Sequence, residues 1–257
     1  MKFAANLTML FTEYDFLQRF EKAHKHKFKA VEYLFPYAYE SYELKKLLDE
    51  YNLIQALHNL PAGDWENGER GIACNPDKMQ DFKDGVHIAI EYAKKLKCNK
   101  LNCLIGIPDV NFSDQDIENC ILENLKFASS ELEKENIQLL IEPVNTIDIP
   151  GFYLNTTKQA KNLLNKVNSN NLFIQYDIYH MQIMEGNLSL TIKENLDLIK
   201  HIQIADHPGR NEPGTGEINY SFLFSYLKSL NYDGYIGCEY NPETNTEEGL
   251  KWFQNLL

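Results

Sequence analysis

No stretch of this 257-residue chain approaches the ~20 consecutive apolar residues of a membrane helix, so no membrane span is expected. The first apolar stretch is broken by Asn6 and Thr8 and followed by Glu13 and Asp15 without a cleavage-like site, which is not the pattern of a signal peptide. Cysteine is scarce: Cys74, Cys98, Cys103, Cys120 and Cys238 are widely spaced and form no C-x-x-C pair. That excludes a disulfide framework and a zinc knuckle and suits a reducing, cytoplasmic setting. Positive charge is also lacking, with 25 basic against 37 acidic residues and a formal net charge of -12. The lysines are spread along the chain beside Asp and Glu, so neither nucleic acid nor an anionic membrane is an expected partner. No Pro/Gly/Ser-rich linker divides the chain, and a single domain over 1–257 is expected.

What is present is a repeat. Short β-rich apolar runs at 3–6, 30–34, 53–58, 100–105, 137–142, 172–177, 199–204 and 235–239 alternate with segments of helical period. Helices are expected over 14–26, 41–50, 77–97, 115–135, 156–167, 189–196, 220–230 and 246–255, with Ser41, Asn155 and Asn245 as caps. Eight β/α units of roughly 30 residues fit an α/β fold of the (β/α)8 TIM-barrel class, although an open doubly wound sheet has the same alternation. Two features favour the barrel. The first strand leads into FAANLTML without a glycine-rich phosphate turn, and polar residues end almost every strand rather than those beside one crevice.

Strands buried in a parallel sheet should be nearly all apolar, so polar strand ends are informative. Glu142 ends LLIE, Asp177 ends FIQYD, Gln203 lies in HIQIAD and Glu239 ends GCE. In a closed barrel these ends meet at one mouth. Three carboxylates and an amide oxygen facing one another call for a bound cation or raised pKa values. The cation is the simpler answer, and an all-oxygen set suits Mg2+ or Mn2+, with Zn2+, Co2+ or Ni2+ as alternatives. Taken singly, each residue could instead be a helix cap or salt-bridge partner. The loop ADHPGRNEPGTGEIN is too rich in Gly, Pro and charge for a plain connector and reads as a substrate-closing loop. Its Arg210 suits a substrate carboxylate, or else a bridge to Glu212 or Glu217; Glu217 either orients ligands or fixes the loop. His180 and His58 either bond a substrate oxygen or are packed or loop histidines, and Asn6 either donates to substrate or braces the mouth. Glu32, acidic in an apolar strand, is assigned no role, and Trp65 is a lid or an interface residue.

The chain resembles the hydroxypyruvate isomerase family, within the xylose-isomerase-like barrels. FAANLTMLFTE, VEYLFPY, IEPVN, FIQYDIYHMQIMEGNL, HIQIADHPGRNEPGTGEINY, GYIGCEYNP and TEEGLKWF occur in that family's order and span nearly the whole chain. The resemblance implies two catalytic glutamates, Glu142 and Glu239, and a divalent metal on Glu142, Asp177, Gln203 and Glu239. Where the wider superfamily commonly has histidine on the seventh strand, this chain has Gln203, which favours Mg2+ or Mn2+. The implied reaction interconverts hydroxypyruvate and tartronate semialdehyde (2-hydroxy-3-oxopropanoate). The expected partner is a small hydroxy or oxo acid, with homo-oligomer formation left open. Rival readings are a 2-oxo-tetronate isomerase or ketose 3-epimerase of the same superfamily, an apurinic-endonuclease-like nuclease, and a non-catalytic binding barrel.

Overall fold

Alternate residues of a strand point to opposite faces, and here one face is mostly apolar while the other turns polar toward the C-terminal end. A computed structural model describes residues 1–254. Its strands are β1 Lys2–Asn6, β2 Ala30–Glu32, β3 Ile54–Asn59, β4 Lys100–Cys103, β5 Gln138–Ile141, β6 Leu172–Asp177, β7 Ile199–Ile204 and β8 Tyr235–Cys238. They pair in parallel in chain order, and β8 closes on β1, as a (β/α)8 barrel requires. Glu142 and Glu239 each lie one residue past their strand.

Around the barrel run α1 Arg19–Lys25, α2 Ser41–Glu50, α3 Met79–Leu96, α4 Asp114–Lys134, α5 Thr157–Val167, α6 Ile178–Met184, α7 Leu188–Glu194, α8 Tyr220–Ser229, α9 Thr246–Gly249 and α10 Lys251–Gln254. Helix α3 shows why they form. Phe82, Val86, Ala89, Ile90, Ala93 and Leu96 recur at helical spacing and are all buried, each larger side chain contributing about 1.5–3 kcal/mol.

Several boundaries differ from the sequence expectation. The first helix begins as a 3-10 turn at Phe16–Gln18, and Pro76–Lys78 forms another before α3. Ser41 does not cap α2, whose N-cap is Glu40 without a side-chain bond. Thr156, not Asn155, caps α5, because Gln159 completes a reciprocal capping box with it. Asn245 does cap α9 through the Glu248 N–H. The expected helix 246–255 is broken into two short helices, and its last residue lies outside those described. Helix α6 was not expected, and it turns the segment after β6 from loop into helix.

Outward strand residues such as Val31, Leu101, Ile141, Ile174, Ile202 and Ile236 join the helices in one continuous core. Inside, Ala4, Ala30 and Ala56 fill the barrel floor with small side chains. Above them the interior is polar. Register places Asn6 beside Glu32, Asp177 beside Gln203 and Gln203 beside Gly237. Gly237 is set by its neighbour: a Cβ there would overlap the Glu32 carboxylate. Gly237→Ala should therefore destabilise the protein by about 2 kcal/mol, as overpacking does, with the loss read from chemical denaturation; an unchanged midpoint would mean that Glu32 moves freely.

Candidate active site

The strand ends that the sequence singles out converge. Asn6, Glu142, His180, Gln203, Arg210 and Glu239 line one cavity of about 120 Å³ at the C-terminal mouth. This is smaller than the ~300–1,000 Å³ of pockets for drug-sized ligands. Leu34, Leu57, Leu104, Val144 and Ile149 form its apolar wall, and Trp65 leans over it, packed on Phe35 (5.1 Å) and beneath the Arg70 guanidinium.

Each carboxylate is held by named donors. Asn102 Nδ2 donates to Glu142 Oε2 at 2.9 Å. Asp177 caps α6 and lies just behind the lining residues: its Oδ1 accepts the Tyr179 N–H at 2.8 Å, leaving Oδ2 buried without a hydrogen bond, 3.5 Å from His180 Nε2. Glu239 Oε2 accepts from Asn6 Nδ2 (2.9 Å) and from Gln203 Nε2, while Arg210 Nη2 donates to its Oε1 at 2.7 Å. Arg210 also lies 3.9 Å from Asp177 and over the Tyr179 ring, and its Nε is buried without a partner among the described residues. It bridges to Glu239, not to Glu212 or Glu217. Glu217 instead accepts from Gln182 on the outside of the loop.

The loop carrying Arg210 is folded around a carboxylate. Asp206 accepts the backbone N–H groups of His207, Gly214 and Ile218. Arg210 itself sits at φ +57, a left-handed conformation uncommon for a side-chain-bearing residue, with its carbonyl accepting the Asn241 N–H.

Desolvation dominates the electrostatics. Burial, then repulsion from Asp177, pushes Glu142 up to about 8. Burial pushes Asp177 up to about 6 against the pull of Arg210, and it raises Glu239 well above the usual carboxylate range. Burial, with Arg210 nearby, lowers His180 well below its ordinary value. Carboxylates held this way gain from a divalent cation, which would relieve both desolvation and repulsion. Glu142, Asp177 and His180 offer ligand atoms within 4.8 Å of one another, and the partnerless Asp177 Oδ2 fits such an ion.

Some expected residues have other neighbours. His58 does not line the cavity; it is fully buried toward α3, with Tyr37 at 6.1 Å and no hydrogen bond to either ring nitrogen. Asn6 spends both amide hydrogens on Glu32 and Glu239. Gln203 faces Glu32 and Glu239 through its nitrogen, and its oxygen accepts from Gln175 at 2.6 Å. Sequence reading missed Gln175, which lines the cavity itself, and His201 below it; Glu32, noted but given no role, completes this buried polar group, with His201 Nε2 2.6 Å from Glu32 Oε2. The signal was available. Gln175 and His201 stand two residues before Asp177 and Gln203, on the same face of the same strands.

With this geometry in place, comparison with known proteins is informative. The sequence matches the family model described as xylose isomerase-like TIM barrel over residues 20–256. The chain belongs to the xylose isomerase-like TIM barrel family. Among its relatives, hydroxypyruvate isomerase of Escherichia coli strain K12 is 54% identical over 252 residues, covering 98% of each chain. The 2-oxo-tetronate isomerase of Cupriavidus necator is 41% identical over 256 residues, covering 100% of this chain and 98% of the other. A solved family member, described as AP endonuclease family 2 from Brucella melitensis, superposes with a TM-score of 0.96 at 42% identity, covering 99% and 98%.

Proposed function

We propose that this chain is an aldose–ketose type isomerase that interconverts hydroxypyruvate and tartronate semialdehyde, using Glu142 and Glu239 to move the proton. The observation that carries the reading is two buried carboxylates facing one small cavity, beside an arginine with an unused donor. The 54% identity to a hydroxypyruvate isomerase over nearly the whole chain supports the substrate. A net charge of -12 and so small a cavity do not suit a DNA strand, so the nuclease reading is not favoured.

The metal set would be Glu142, Asp177 and Glu239 with Gln203, which would have to offer the amide oxygen that now accepts from Gln175. A divalent cation there, Mg2+ or Mn2+ before Zn2+, Co2+ or Ni2+, would supply positive charge for the oxygens of an enediolate. The chain's own groups do the rest. One glutamate removes a proton from the hydroxymethyl carbon of hydroxypyruvate and the other delivers a proton to the adjacent carbon, while the hydroxyl proton passes to the former carbonyl oxygen, so that hydroxyl and carbonyl exchange places. The Arg210 fork fits the substrate carboxylate and fixes the orientation of a molecule too small to be held by shape.

Turnover of hydroxypyruvate, measured beside that of a four-carbon 2-oxo-tetronate, tests the substrate. Hydroxypyruvate should have the higher kcat/KM. A preference of more than tenfold for the four-carbon acid would replace it.

A further inference from the structure

His180 faces the cavity and stands within reach of the carboxylates that could hold a cation, so which of its nitrogens carries the proton decides what it can do. A neutral imidazole offers one N–H donor and one lone pair. The structure contains the group that chooses between them. Asn145, buried just past β5, has all four of its amide positions occupied. Its Oδ1 accepts the backbone N–H groups of Ile147 (3.0 Å) and Asp148 (2.8 Å). Its Nδ2 lies 3.1 Å from Asp148 Oδ2 and 2.7 Å from His180 Nδ1.

The orientation of this amide is therefore not arbitrary. Turning it over would set NH2 against two backbone N–H groups and oxygen against a carboxylate, losing three of the four bonds. With the amide held, an NH2 hydrogen points at His180 Nδ1, which must present its lone pair; a proton there would face another at 2.7 Å. The ring proton is thus confined to Nε2. That atom faces the site, with Asp177 Oδ2 3.5 Å away, too far for a good hydrogen bond.

We infer that Asn145 is a positioning residue that locks His180 as its Nε2–H tautomer, making it a hydrogen-bond donor to a substrate oxygen and keeping it out of the metal's coordination shell. Proximity alone would group His180 with Glu142 and Asp177 as ligands. The tautomer rules that out, since a ligating nitrogen needs its lone pair. Asp177 and His180 then divide the work, the carboxylate for the cation and the N–H for the substrate. The catalytic part of this inference rests on the isomerase reading above; the tautomer does not.

The test is 15N–1H correlation of ring-15N-histidine protein, with the His180 signals assigned by their absence in His180→Gln. Wild type should show His180 Nδ1 as an unprotonated acceptor and Nε2 as protonated, both without metal and after Mg2+ is added. Asn145→Asp places an acceptor opposite Nδ1 and should bring a proton onto that nitrogen, with kcat on hydroxypyruvate falling ~10²-fold, as when a positioned donor is lost. A wild-type ring protonated at Nδ1, or an Nε2 that loses its proton on Mg2+ binding, overturns the proposal whether or not Asn145→Asp folds. So does a folded Asn145→Asp protein with the wild-type tautomer or with unchanged kcat. If the tautomer is found and hydroxypyruvate is not turned over, the tautomer stands and the substrate reading fails.

Discussion

Glu239→Gln is expected to lower kcat on hydroxypyruvate by ~10³-fold, within the range for loss of a general acid or base. Gln keeps the volume and one carbonyl oxygen for the donors around it, but it cannot take up or return a proton. Asn6, Gln203 and Arg210 all point at this carboxylate. The neutral side chain therefore also loses charge-assisted bonds, which a thermal melt recorded in parallel will register separately. The discriminating readout is isotopic. In deuterated water with Mg2+, wild type should place deuterium on the carbon that gains the proton, and Glu239→Gln should not. Chelation should abolish exchange in the wild type. Glu142→Gln should fail similarly, and any residual half-reaction in one variant but not the other tells which glutamate acts on which carbon. A Glu239→Gln enzyme within threefold of wild-type kcat would remove Glu239 from proton transfer.

The second large effect is on stability. In chelated protein, raising the pH from 5 to 8 should lower the melting temperature by ~5–10 °C. Glu142, Asp177 and Glu239 bind protons more tightly folded than unfolded, where carboxyls titrate near 4. These three carboxylates thus hold more protons folded than unfolded across this interval, which lowers stability as pH rises; His58 and His180, whose burial lowers their proton affinity, act in the opposite sense as the unfolded imidazoles titrate near 6.5, and offset part of the fall. The contribution is complete below about pH 4 and is lost as pH passes through about 6 for Asp177 and about 8 for Glu142. Each tenfold gain in proton affinity on folding is worth about 1.4 kcal/mol, so the sum is a few kcal/mol. Carboxylates with lowered proton affinity, such as Glu13 and Glu69, are ionised by pH 5 and do not mask the trend. Mg2+ or Mn2+ should reverse the slope, raising the melting temperature more at pH 8 than at pH 5, because it binds the deprotonated ligands. A chelated protein whose melting temperature is flat or rises over this interval would contradict the buried-carboxylate account.

The expected strands all exist, with β6 and β7 matching to the residue, because eight apolar runs separated by amphipathic segments leave little other choice. Boundaries slipped where local chemistry outweighed pattern. Asp177 reads singly as a cap, and it is one; its first oxygen starts α6 while its second lies 3.5 Å from His180 Nε2 and 3.9 Å from Arg210, so cap and candidate ligand are not exclusive alternatives. His180 consequently lies on a buried helix rather than in a loop. His58 shows the opposite failure: it stands near a strand end, but beyond a register shift in the β2–β3 pairing it lies level with outward-facing Leu101 and is turned toward α3, away from the mouth.

By itself the sequence determined the eight β/α units, the set of polar strand ends and the family resemblance, since all three are carried by periodicity and by residues in order along the chain. Only the tertiary structure decided which atoms face which. Glu32 and His201 are 169 positions apart and meet inside the barrel. Gly237 is bare because Glu32 occupies its space. The amide of Asn145, pinned by two backbone N–H groups, selects the tautomer of a histidine 35 residues away. Such relations arise from closure, which brings distant strands to hydrogen-bond range, and no local pattern encodes them.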